Sequence, residues 1–224
     1  MLYSEKVKLF AKQHPCEEIT VDGARYRYVL CGKAGARTLV FLNGGMVAQI
    51  YVQKYPGEAG GLILVSTGGM DEATLRTLKQ KYRLAPLMLW YMKHCNYEKL
   101  EPKLISASLR HIRDETPEEI AYAKDIFETT FRDFTQEKDV HISSLLADLM
   151  RQRPVTAADF AALAGRILLI LPNQDFFSEK MQKDLIALMH DPKIAYVSGG
   201  HLSTVLKTQD YVRVIREFLT ETFA

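Results

Sequence analysis

Three short runs constrain this chain more than anything else in it: Thr38–Leu42 (TLVFL), Gly61–Ser66 (GLILVS) and Arg166–Leu171 (RILLIL). Each is apolar at nearly every position, so an extended backbone would carry oily side chains on both faces. Such a strand is stable only with helices above and below it, the situation of a central parallel strand. Between the first two runs, Val47, Ile50 and Tyr51 fall on one helical stripe within Met46–Tyr55, and Pro56-Gly57 ends it. Strand, helix and parallel strand make a right-handed βαβ unit.

Upstream, Glu18–Val21 and Ala24–Cys31 read as strands about the Asp22-Gly23 turn signal. From about Met70 to Ala164 no strand-like run occurs. Helical patterns cover Asp71–Lys81, Leu84–Cys95, Lys99–Arg113, Pro117–Phe131 and His141–Arg151. Alternation then resumes with RILLIL, a helix over Ser178–Met189, a strand at Lys193–Val197 and an amphipathic helix over Thr208–Phe218. The organisation predicted is an α/β core in two halves, residues 1–69 and 165–224, with a helical insertion over 70–164.

At 224 residues the chain suits one such core. Its 29 basic and 27 acidic residues are interspersed, which argues against a nucleic-acid partner. Cys16, Cys31 and Cys95 are odd in number and lack metal-ligand spacing, as expected in a reducing compartment. The opening MLYSEKVKLF has no apolar stretch of signal-peptide length, and nothing approaches a membrane span. These features predict a cytoplasmic protein with no membrane partner, no metal and no cofactor.

In open α/β sheets, ligands gather at the carboxyl ends of the parallel strands. Asn43-Gly44-Gly45, Asn173-Gln174-Asp175 and Ser198-Gly199-Gly200-His201 follow such ends here. A lone aspartate after a strand is ordinarily a turn or cap, and a lone histidine is ordinarily satisfied structure. Asp175 and His201, on successive strands and 26 residues apart (201 − 175), are together a candidate acid–imidazole pair. The carboxylate would fix the tautomer of the ring and leave its other nitrogen as a base.

At this point the chain resembles the α/β-hydrolase family, in the form that carries a helical lid between the sixth and seventh strands. The resemblance rests on Gly44-Gly45-Met46-Val47-Ala48-Gln49, Tyr55-Pro56, Leu62–Thr67, Leu168–Asp175 and Gly199-Gly200-His201, over about residues 18–70 and 160–220. It implies a mostly parallel sheet flanked by helices, with Asp175 as the triad acid and His201 as the base. Backbone amides near Asn43, Gly44, Gly45 and Met46 would form the oxyanion hole.

The departure from the pattern is as informative. The family nucleophile sits in a G-x-S-x-G elbow. Counting back from Gly44 in that register puts Leu42 at the nucleophile position, and leucine cannot attack an acyl carbon. Phe41–Gly45 also matches the family's third strand and oxyanion loop, so two motifs distant in relatives overlap here. An internal deletion of roughly 50 residues, two strands and two helices with their loops, accounts for the overlap. A longer natural polypeptide is the other account.

Ser66, Ser198 and Ser203 are nearby hydroxyls, each with an ordinary cap or turn role open to it. Met88, Trp90, Tyr91 and Met92 offer either helix packing or an apolar surface over the cleft, which would favour an apolar or aromatic small substrate. Two readings follow: a small-molecule ester, acyl or C–C bond hydrolase with an incomplete triad, or a non-catalytic binding domain. The second includes self-association by strand exchange at Asn43–Gly45.

Overall fold

The computed structural model describes residues 2–21, 24–29, 45–109, 112, 116–132, 135–175 and 177–223. The predicted strand Thr38–Leu42, Cys31, Leu42, Asn43 and Gly44 therefore lie outside the described residues. Helix α1 (Tyr3–Gln13) comes first, followed by an antiparallel hairpin of β1 (Glu17–Val21) and β2 (Ala24–Tyr28). Helix α2 (Gly45–Lys54) then leads to β3 (Leu62–Val65).

Five helices and one short 3-10 segment separate β3 from the next strand among the described residues. They are α3 (Glu72–Lys81), α4 (Ala85–His94), α5 (Tyr97–Leu109), α6 (Pro117–Phe131) and α7 (Gln136–Leu149), with the 3-10 turn at Ala157–Leu163. The chain closes with β4 (Ile167–Pro172), α8 (Glu179–Leu188), β5 (Lys193–Val197), α9 (Ser203–Leu206) and α10 (Thr208–Phe223).

Strands β3, β4 and β5 form a parallel sheet in that order, in register at Leu62↔Ile167 and Leu168↔Lys193. All six residues of β4 are buried. Its side chains alternate between two cores. Ile167, Leu169 and Leu171 join Val52, Leu64, Phe160 and Leu185 on one face; Leu168 and Ile170 join Val197, Tyr211, Val214 and Phe218 on the other. Each fully buried aliphatic side chain contributes about 1.5–3 kcal/mol, which is why RILLIL had to be central.

Two helix starts show local chemistry at work. Thr116 caps α6 with a reciprocal box: its Oγ1 accepts from Glu119 N–H at 3.2 Å while Glu119 Oε2 accepts from Thr116 N–H at 2.9 Å. Helix α7 begins five residues before the predicted His141, because the Thr135 hydroxyl accepts from Lys138 N–H at 3.3 Å and the acids Glu137 and Asp139 sit in its first turn. The return from α7 to the core is pinned to α2. Gln53 Nε2 donates to Pro154 O at 3.1 Å and to Asp159 Oδ2 at 3.4 Å, and Val155 N–H donates to Met70 O at 2.9 Å.

Candidate functional site

The carboxyl ends of β3, β4 and β5 lie side by side, and the loops that follow them build the site. Asn173 ties two of these loops together. Its N–H donates to Val197 O at 3.0 Å, and its Oδ1 accepts from Gly199 N–H at 3.0 Å. Gly199 adopts φ +102°, a region that side-chain-bearing residues avoid, and the chain thereby turns back toward β4. The turn delivers His201 to Asp175: Nδ1 lies 3.1 Å from Oδ1 and 3.4 Å from Oδ2.

The two residues singled out in the sequence are thus brought within hydrogen-bond distance. The Asp175 side chain is 1% exposed and the His201 side chain 45%. A carboxylate only accepts, so Nδ1 carries the hydrogen, and the lone pair of the neutral ring is on Nε2. A buried acid holding a half-exposed imidazole is an arrangement that can serve as an oriented general base. The Phe177 ring packs beside the imidazole, centroids 6.1 Å apart, and fixes its second side.

Phe177 also links the pair to the start of α2. Its ring rests against Gly68, where a Cβ would come within 2.8 Å of the ring carbons. The Gly68 carbonyl accepts from Gln49 Nε2 at 2.9 Å, and Gln49 Oε1 accepts from Met70 N–H at 3.0 Å. Gln49 is fully buried and threads α2 to the chain leaving β3. At Gly45 the two elements touch so closely that a Cβ would lie 2.6 Å from Thr67 Cγ2. The first turn of α2, with Gly45 and Met46 of the predicted oxyanion loop, thus abuts the end of β3 with its positive dipole end.

The three hydroxyls separate clearly. Ser203 Oγ donates to Gly200 O at 2.6 Å and lies 2.6 Å from Tyr211 Oη, a buried structural pairing. Ser198 Oγ accepts from Lys207 Nζ at 3.3 Å. Ser66 is the unusual one. It has φ +47° at the end of β3, and its buried Oγ has no partner among the described residues. Of the apolar helix residues, Met92 is buried while Met88, Trp90 and Tyr91 are more than half exposed. Among the described residues no group of three or more His, Cys, Asp or Glu could hold a metal.

Sequence reasoning missed Gln49, Phe177 and the strain at Ser66. Gln49 had no signal in the spacing, because Val47, Ile50 and Tyr51 pointed to another stripe, whereas Gln49 and Val52 are the buried residues of α2 and Val47 and Tyr51 are exposed.

No family model and no curated protein matches the chain. Among solved structures it is similar to a thermophilic esterase from Thermogutta terrifontis (TM-score 0.54, 17% identity, 80% of this chain and 62% of that one). It is also similar to a hydrolase from Pseudomonas aeruginosa PA01 (TM-score 0.54, 16% identity, 79% and 61%). A third is Rv0554 from Mycobacterium tuberculosis (TM-score 0.56, 14% identity, 81% and 64%). The chain therefore has the α/β-hydrolase fold, in a shortened form that spans about three-fifths of the length of these structures.

Proposed function

We propose that this chain is a hydrolase-fold domain whose ancestral activity was cleavage of a small-molecule ester, acyl or C–C bond, and which keeps only the acid–base part of that machinery. The observation that carries the reading is the 3.1 Å contact between buried Asp175 and His201 at the ends of adjacent parallel strands. In a complete site, His201 Nε2 would take the proton of a serine hydroxyl, and amides at the start of α2 would hold the developing oxyanion. Leu42 at the elbow position removes the first step. Among the described hydroxyls, Ser203 and Ser198 are engaged elsewhere, and Ser66 stands on the neighbouring strand, outside the elbow register.

Loss of the nucleophile costs about 10⁶ in kcat where the triad acts as a unit. Turnover of p-nitrophenyl esters by the purified 224-residue chain is thus expected to stay at background, with no burst, and unchanged by His201→Ala. A stoichiometric burst abolished by His201→Ala would overturn the reading.

A further inference from the structure

Helix α4 is apolar on both sides, yet among the described residues only one side is covered. Its partner is α7, and Gln136 of α7 donates to Met92 O at 2.5 Å and Cys95 O at 3.2 Å, which fixes the carboxyl end of α4. On the other side Leu84, Leu87, Met88 and Tyr91 follow the i, i+3, i+4, i+7 spacing of a core-facing stripe. They are instead exposed at 63%, 61%, 52% and 53%, with Trp90 beside them at 59%. Trp90 and His94 stack along the flank, centroids 5.0 Å apart. A contiguous exposed stripe of this composition marks an interaction surface.

Charge says what it meets. From Ala73 to Tyr97 the sequence has no Asp or Glu, but it has Arg76, Lys79, Lys81, Arg83 and Lys93. All five are exposed, and only Arg76 has an acidic neighbour on its own helix, Glu72 at 2.9 Å. Three of the cations lead into α4 and one stands in its last turn. A second copy laid across the same stripe in two-fold fashion would bring like charges together, which disfavours self-association. An apolar helix face of Leu, Met, Trp and Tyr flanked in sequence by exposed lysine and arginine instead fits the boundary between lipid headgroups and acyl chains.

We propose that α4 is an interfacial helix that seats the Leu84–Tyr91 stripe in an anionic bilayer surface while Lys79, Lys81, Arg83 and Lys93 meet the headgroups. The chain lies on the membrane in this arrangement and does not cross it; no helix among the described residues is long and apolar enough to span. This proposal departs from the sequence-based expectation of no membrane partner.

The chain offers a direct probe, because Trp90 is its one tryptophan. The intact protein would be mixed with vesicles of mixed phosphatidylcholine and phosphatidylglycerol, and with vesicles of phosphatidylcholine alone. With the anionic vesicles, Trp90 emission is expected to shift to the blue, to be quenched by brominated acyl chains, and the protein to sediment with lipid. High salt, or Lys79→Glu with Lys81→Glu and Arg83→Glu, should weaken binding about tenfold or more. Leu87→Glu with Tyr91→Glu should abolish it while leaving the far-ultraviolet circular dichroism unchanged. Unshifted, unquenched emission of the wild-type chain with protein left in the supernatant would overturn the proposal. So would equal binding to neutral vesicles. A blue shift that grows with protein concentration without lipid, alongside a dimer on size exclusion, would assign the stripe to a second copy and overturn it as well.

Discussion

Ser66 concentrates two local costs at one residue. A non-glycine side chain at φ +47° carries about 1–3 kcal/mol of backbone strain, and a buried hydroxyl without a partner among the described residues adds to it. Ser66→Gly is therefore expected to stabilise the fold by about 1 kcal/mol after the extra chain entropy of glycine is set against the relief. A higher midpoint in thermal denaturation would bear this out; a lower one would mean that the hydroxyl has a stabilising partner. Strain of this kind was not legible in Leu-Val-Ser-Thr-Gly-Gly, where a serine before glycines reads as an ordinary turn. Asp175 and His201 were legible as candidates, because Asp175 follows the doubly apolar RILLIL run and His201 follows the next strand-like run, Lys193–Val197, after two glycines. Their 3.1 Å contact needed the Gly199 turn and the Asn173 cross-link, neither of which periodicity encodes.

At the scale of elements, the 3-10 turn at Ala157–Leu163 fastens the segment after α7 to α2, and Asp159 is its anchor. Burial alone would raise this carboxyl. Donation from Thr156 N–H at 2.7 Å, Arg153 at 2.7 Å, the Thr156 hydroxyl at 3.0 Å and Gln53 at 3.4 Å outweighs burial and holds it below its ordinary value. A depressed folded-state pKa contributes stability above the unfolded-state pKa, and that stability is lost as pH falls through the folded value. Asp159→Asn should thus cost about 1–3 kcal/mol at neutral pH, with the gap from wild type closing at strongly acidic pH. Urea midpoints at the two pH values check both parts. The Thr156-x-x-Asp159 cap was written in the sequence but is too short to register as a helix. The early start of α7 at Gln136 was signalled by Thr135, yet apolar spacing alone pointed to His141.

For the whole molecule, β4 is the shared wall of the two cores, so damage there cannot stay on one side. Leu169, fully buried, should cost about 2–5 kcal/mol as Leu169→Ala and lower the single global unfolding midpoint. Separate transitions for the parallel sheet and for helices α3 to α7 would contradict that coupling. The fold class was readable from three doubly apolar runs because their burial requirement admits few architectures. The free side of α4 was not readable, since spacing reveals a stripe and not whether anything covers it.

The sheet also dictates the order in which the molecule can assemble. Leu62 pairs with Ile167, a separation of 105 residues (167 − 62), whereas Leu168 pairs with Lys193 only 25 residues away (193 − 168). Closing a loop of about 100 residues costs about 4 kcal/mol of chain entropy before any contact repays it. The β4–α8–β5 unit and the hairpin of β1 and β2 can form early, and β3 must wait for the intervening helices to condense. Refolding is therefore expected to end in the late docking of β3, and until then the edge of β4 that receives β3 stays open.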